Sequence, residues 1–350
     1  MSLGAPARRS EEDREQRTTK SKVSAFGTAF VSRGFTMYPV IILMGIIGTF
    51  TAPAFLTSTN LINIGAQVAV LGVVTIGLVF VLLIGRLDLS LESTVGFAPM
   101  VAAWLMVPIA AGGLGTEIPG WLGLVVTMVV AGAVGVFNGY LVVKVGLNPF
   151  IATLGMFVLL RGSILIVSNG RSIYSPPDSY TWLGSAKYFG VPISVIFLIA
   201  IAILIGIILQ YNRYGRALYA VGGNEDAARA AGINVDRIIW SVFILASLMA
   251  GIGGIIATGR LDSVVTTQGQ GLIFDCFAAA VIGGVSLGGG KGTIIGAMSG
   301  VLLIGVINNL LTLAQVPSFW VEASTGAVII VAAILAAVAS KRSTAIKTRT

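Results

Sequence analysis

Arg86, Asp88 and Glu92 stand within seven residues of a stretch that is otherwise apolar, Gly85-Arg86-Leu87-Asp88-Leu89-Ser90-Leu91-Glu92-Ser93. A charge deep in a bilayer costs about 2.5–3.5 kcal/mol on insertion scales and takes a partner or water. Two readings are open: a break in a span that faces a translocation path, or a compensated charge cluster near a membrane surface. Further polar or aromatic residues lie inside apolar runs: Asn63, Gln67, Asn138, Phe150, Thr153, Arg161, Asp275, Asn308, Asn309 and Glu322. Membrane Asn and Gln commonly bond from helix to helix, and the same side chains can line a polar path. Arg161 and Asp275 are unsuited to lipid, so each forms a buried pair or lines a cavity. Gly288-Gly289-Gly290-Lys291-Gly292-Thr293 has the glycines and lysine of a phosphate-binding loop, but that pattern needs glycine where Val285 stands and Ser or Thr where Gly292 stands. No strand pattern precedes it. It reads as a tight turn or broken helix, and the chain is not expected to hydrolyse ATP. No catalytic or metal-binding set emerges, and histidine is absent.

The elements that must position these residues are set by composition. Of 350 residues, 56% are hydrophobic and 10% charged, whereas soluble domains carry roughly 25% charged residues. Apolar runs near the ~20 residues that an α-helix needs to cross a bilayer recur from Met37 to Ser340. Helices satisfy their own backbone groups within each span, and barrel strands would show alternation instead. The 45 glycines suit helix backbones that approach closely in lipid. The fold class expected is all-α and polytopic, with about ten transmembrane helices over 38–56, 61–84, 93–111, 120–143, 149–168, 192–211, 237–258, 272–288, 293–315 and 320–340. Residues 1–37 read as a disordered cytosolic tail without signal-peptide pattern, 38–340 as the membrane domain and 341–350 as a cytosolic C-terminal tail. With both termini inside, internal segments hold 18 of the 22 Lys and Arg residues, as the positive-inside rule requires. The net charge of +8 therefore follows topology and does not mark a nucleic-acid face. Cys276 lies alone in an apolar run and excludes a disulfide framework.

Two connections are long. Asn169–Val191 is placed outside, and its prolines and Trp182 suit a structured surface loop. Residues 212–236 are placed inside. There Asn224 is a good N-cap, Glu225 and Asp226 favour the positive helix end, and Gly232 closes the C-terminus. The result is an alanine-rich helix of about two turns, too short to persist alone in water, that packs against something. A faint internal repeat relates Ile84–Ser90 to Ile282–Gly288, each ending one apolar run and beginning another. Transporter folds are often duplicated in this way, although so short a glycine-rich match also arises by chance.

Four segments in order resemble the ribose/xylose/galactose-type permeases of ATP-binding-cassette importers, a type II permease family. Gly215–Ile233 is similar to the family's G-R-x-x-Y-A-V-G-G-N-x-x-A-A-R-x-x-G-I. Gly85–Ser93 is similar to G-G-I-D-L-S-V-G-S. Asn138–Val142, Pro149–Met156 and Arg161-Gly162 are similar to N-G-x-L-V, P-F-I-x-T-L-G-M and R-G. Ile282–Thr293 with Asn308-Asn309 is similar to I-G-G-x-S-L-x-G-G-x-G-T and the pair that follows. Together they cover about 60–330. Arg86 and Glu92 depart from the pattern, each replacing a glycine, and this leaves the particular sugar open.

The resemblance implies a permease that works as a homo- or heterodimer around a central path for a monosaccharide, in a bacterial inner membrane with both termini cytosolic. It implies cytosolic ATPase subunits docked on a coupling helix carried by Gly215, Arg216, Gly223, Asn224, Glu225, Ala228, Arg229 and Gly232. It also implies an extracytoplasmic sugar-binding protein. ATP and Mg²⁺ belong to the ATPase, and this chain binds no cofactor. Sugars are rich in hydroxyls, so amide, hydroxyl and a few aromatic side chains suit their path. Asp88, Ser90, Asn138, Phe150, Thr153, Asn308 and Asn309 are the candidates, each with an interhelical hydrogen bond as the alternative role. Two rivals stand beside this reading. One is import of another small solute, such as a branched-chain amino acid, nucleoside, polyol or autoinducer sugar. The other is ion-coupled secondary transport, which the absence of histidine and scarcity of acidic residues oppose.

Overall fold

The computed structural model describes residues 37–317 together with 319, 320, 323, 326, 327 and 330. Twelve helices are described: α1 Tyr38–Thr51, α2 Ser58–Leu83, α3 Ser90–Met106, α4 Gly120–Val143, α5 Pro149–Ser168, α6 Asp178–Ser185, α7 Ile193–Tyr211, α8 Arg213–Gly223, α9 Glu225–Ala230, α10 Val235–Leu261, α11 Leu272–Ile282 and α12 Ile294–Leu313. Six of them, α2, α4, α5, α7, α10 and α12, are long and apolar enough to cross a membrane. The chain is thus an all-α polytopic membrane protein. Helices α1 and α11 are apolar but short. The tenth expected span, with Glu322, falls mostly outside the described residues, as do both terminal tails.

Helix α2 is the axis. Thr57 caps its start by accepting from the Asn60 amide, and almost every residue from Val68 to Leu83 is buried. Helices α10, α12, α7 and α11 surround it, and α10 also lies along α4, α3 and α6. With no hydrophobic drive between helices in lipid, close approach supplies the packing. At Gly135 of α4 a Cβ would stand 2.6 Å from the Ile244 Cα of α10. The 169–191 connection is ordered. Strand β1 (Ile173–Tyr174) pairs antiparallel with β4 (Ser263–Val264), and β2 (Lys187–Tyr188) pairs with β3 (Val191–Pro192). Tyr180 of α6 is buried, with its hydroxyl 2.8 Å from Thr127 Oγ1 of α4.

Two expected spans are shorter than their apolar runs. The α-helix of the 93–111 run ends at Met106, because Pro108 holds Val107 extended at ψ 155°, and only a 3-10 turn, Ile109–Ala111, follows. The 272–288 run is helical only to Ile282. There the Val285 amide returns to Ala280 O at 2.9 Å, with Gly284 at φ +83°, a Schellman closure that needs a residue in the left-handed region. Helix α2 ends identically in kind: the Arg86 amide returns to Val81 O at 3.1 Å, with Gly85 at φ +70°. The two closures match with Gly85 opposite Gly284, one residue out of step with the register in which the sequences look alike. Cys276 of α11 is fully buried, its thiol 3.8 Å from Leu71 O.

Candidate functional site

The three charges at the α2–α3 link do not form one cluster; they part in three directions. Asp88 is fully buried, and its Oδ1 accepts from the Ser90 amide at 2.9 Å and the Ser90 hydroxyl at 2.6 Å. The Asn138 amide of α4 donates to Ser90 Oγ at 2.8 Å, and Thr153 Oγ1 of α5 accepts from the Leu89 amide at 3.2 Å. Four of the expected path residues, Asp88, Ser90, Asn138 and Thr153, are thereby brought together. Among the described residues Asp88 Oδ2 and Asn138 Oδ1 have no hydrogen-bond partner, although an unpaired buried polar atom costs about 1–3 kcal/mol. Phe150 stands apart. Its ring is exposed beside a shallow cleft lined by Gly85, Arg86, Leu87, Asn148 and Pro149.

Glu92 points the other way from Arg86. It is buried and paired with Arg161 of α5 at 3.0 Å. Arg161 also donates to Gln268 O at 3.3 Å. Gln268 in turn donates to Val95 O at 2.9 Å and Gly254 O at 3.2 Å. These bonds pin the α10–α11 connection against α3 and α10. Arg161 and Asp275 are legible from sequence as paired or cavity-lining, whereas Gln268, one of two glutamines in a short Thr-Thr-Gln-Gly-Gln-Gly loop, carries no such signal.

Arg86 leads to the α8–α9 segment. Its guanidinium lies 2.8 Å from Glu225 Oε2, Glu225 Oε1 lies 3.3 Å from Arg229, and Arg229 lies 3.2 Å from Asp236 at the start of α10. The Asn224 side chain caps α9 by accepting from the Ala227 amide at 2.9 Å, and Gly232, at φ +83°, closes it. Ala228 is buried against the core, while Asn224, Asp226, Ala227 and Arg229 are exposed. In the preceding helix Gly215 is buried and exposed Arg216 donates to Tyr211 O at 2.9 Å. The C-terminal end of α8 meets both broken connections. The Gly290 amide donates to Leu83 O at 2.9 Å, and Tyr219 donates to Gly292 O at 2.8 Å. At Gly222 a Cβ would collide with Leu83 O and lie 2.6 Å from the Gly290 nitrogen. The neighbouring Gly223 has open space.

Toward the other end of α2 a cleft of about 190 Å³ opens between α2, α10, α11 and α12. Its polar lining is Gln67, Arg260, Asp275 and Asn308, set among apolar residues such as Val70, Leu71 and Leu272. The Asn308 amide donates to Asp275 Oδ2 at 3.3 Å. Gln67 and Arg260 have no hydrogen bond or ion pair among the described residues. Asn309 faces elsewhere: its amide and that of Asn60 donate to each other at 2.8 and 2.9 Å, joining α12 to α2. Of the adjacent asparagines, one lines a cleft and one ties helices.

A membrane bundle with two glycine-closed breaks, a surface helix pair at their meeting point and a polar cleft beyond is the build of a transport subunit. The chain belongs to the family described as branched-chain amino acid transport system / permease component, whose profile matches residues 60–337. It is 34% identical to the ribose import permease protein of Escherichia coli K12 over 314 residues, 89% of this chain and 95% of the relative. It is 35% identical to the D-allose transport system permease protein of the same organism, over 87% of this chain and 92% of that one. It is 31% identical to the L-arabinose ABC transporter permease protein of Azospirillum brasilense, over 91% and 94%. No solved structure matches the chain.

Proposed function

We propose that the chain is the permease subunit of an ATP-binding-cassette importer and carries a monosaccharide. The observation that carries this reading is the near full-length similarity to permeases named for ribose, allose and arabinose. The cleft lined by Gln67, Arg260, Asp275 and Asn308 supports it, because amide, guanidinium and carboxylate groups match the donors and acceptors of sugar hydroxyls. The volume suits a small solute, being below the roughly 300 Å³ at which drug-sized pockets begin. Two such subunits, each of about ten spans, enclose a path, with both termini and α8–α9 facing the cytosol. Asp88, Ser90, Asn138, Thr153 and Asn308 belong to that path or to the elements that move it. Cytosolic ATPases dock at α9, an extracytoplasmic binding protein delivers the sugar, and ATP biases the bundle between outward- and inward-facing states.

The test is uptake into proteoliposomes holding the permease and its ATPase, with the binding protein outside and ATP inside. Accumulation of a labelled pentose or hexose that requires both ATP and binding protein is expected. Uptake driven by an ion gradient without the ATPase would overturn the mechanism. Accumulation of leucine but of no sugar would overturn the substrate class.

A further inference from the structure

The α2–α3 link and α9 are 139 residues apart in sequence, yet they are joined by one ion pair outside the glycine-packed backbone. We propose that the Arg86–Glu225 pair is a latch through which movement of α9 is delivered to the α2–α3 link; this rests on the reading that α9 docks the ATPase.

Helix α9 is a short element whose ends are set locally, by the Asn224 cap and the Gly232 turn. Buried Ala228 gives it a foothold on the core, an apolar contact without the directionality of an ion pair. The charge line Arg86–Glu225–Arg229–Asp236 is directional. Glu225 sits in the middle, one carboxylate oxygen on Arg86 and the other on Arg229. A partner that draws on Arg229 therefore alters the pull on Arg86.

Beyond Arg86 the link is tightly connected. Two residues on, Asp88 holds both the amide and the hydroxyl of Ser90, Ser90 holds Asn138 of α4, and Leu89 holds Thr153 of α5. Behind Arg86, Leu83 O holds the Gly290 amide of the second break. A displacement of Arg86 thus reaches α3, α4 and α5 through hydrogen bonds, and α12 through the backbone. Arg86 is a positioning residue in this scheme and touches no sugar.

The experiment uses the complete transporter in proteoliposomes and reads two quantities, ATPase association and sugar moved per ATP hydrolysed. Arg86→Gln and Arg86→Glu are expected to keep the ATPase bound while the ratio falls severalfold, Arg86→Glu the further of the two. Arg86→Glu with Glu225→Arg is expected to recover part of the ratio, because it restores the pair at position 86 but not the arm to Arg229. A wild-type ratio in Arg86→Gln overturns the proposal. So does a double variant no better than its worse parent, because the residues then act separately. Failure of the wild-type permease to hold the ATPase through α9 strikes the docking reading itself, a result distinct from any behaviour of the Arg86 variants.

Discussion

Replacing Arg161 by Met tests whether the Glu92–Arg161 pair is an obligate unit. Glu92 is 3% exposed and Arg161 22%, so the carboxylate bears nearly the whole desolvation cost. Removing one member of a buried ion pair typically costs about 3–5 kcal/mol, because the other is left charged and alone. Arg161→Met is expected at that level, since among the described residues the only other hydrogen bond to the Glu92 carboxylate is a long one, 3.5 Å from the Ile273 amide. Glu92→Gln is expected to cost less, because Arg161 is closer to solvent and keeps its bond to Gln268 O. The double variant is expected to be less destabilised than Arg161→Met alone, because no buried charge is left unpaired, while the buried amide at position 92 keeps a cost of about 1–3 kcal/mol. Reversible denaturant unfolding in mixed micelles gives all four corners of this cycle. An Arg161→Met variant within about 1 kcal/mol of wild type, the range of a solvated surface pair, would refute the assignment.

Three further outcomes are expected. Gly222→Val drives a branched side chain onto Leu83 O and the Gly290 amide, costing about 1–3 kcal/mol by overpacking, while Gly223→Ala is tolerated; thermal unfolding compares them. Asn308→Ala raises the KM for sugar uptake with little loss of stability, whereas Asn309→Ala strands the buried Asn60 amide at about 1–3 kcal/mol and leaves KM unchanged, so paired uptake and unfolding measurements separate the two roles. Arg229→Ala weakens co-purification with the ATPase and leaves unfolding unchanged; undiminished co-purification removes Arg229 from the docking surface.

Local rules carried far in this chain. The Asn224 cap, the first-turn acids and the Gly232 closure read directly into α9, because capping depends on residues a few positions apart. The glycine-rich turn after α11 was legible for the same reason. Partner choice was not. Arg86 and Glu92 look alike as charges in an apolar context, and only the packing of α5 and α9 sends one to Glu225 and the other to Arg161. Asn308 and Asn309 show the limit most plainly. Neighbours of one residue type turn about 100° apart on a helix of 3.6 residues per turn, so cleft and helix tie cannot be told apart without the neighbouring helices. Hydropathy overruns the ends of α3 and α11, because it continues past the residues where Pro108 and Gly284 stop the backbone.

The burial of Cys276 has a practical corollary. The sequence holds no other thiol, and this one is walled in between α11 and α2 with no exposed surface. A membrane-impermeant maleimide added to the folded transporter therefore meets no native target. A single cysteine placed at exposed Asp226, or at Gln67 in the cleft, would carry a spin or fluorescent label alone, in an otherwise natural sequence. With cysteines at both positions, distances between α9 and the cleft can be followed through a transport cycle without first stripping a native residue from the core.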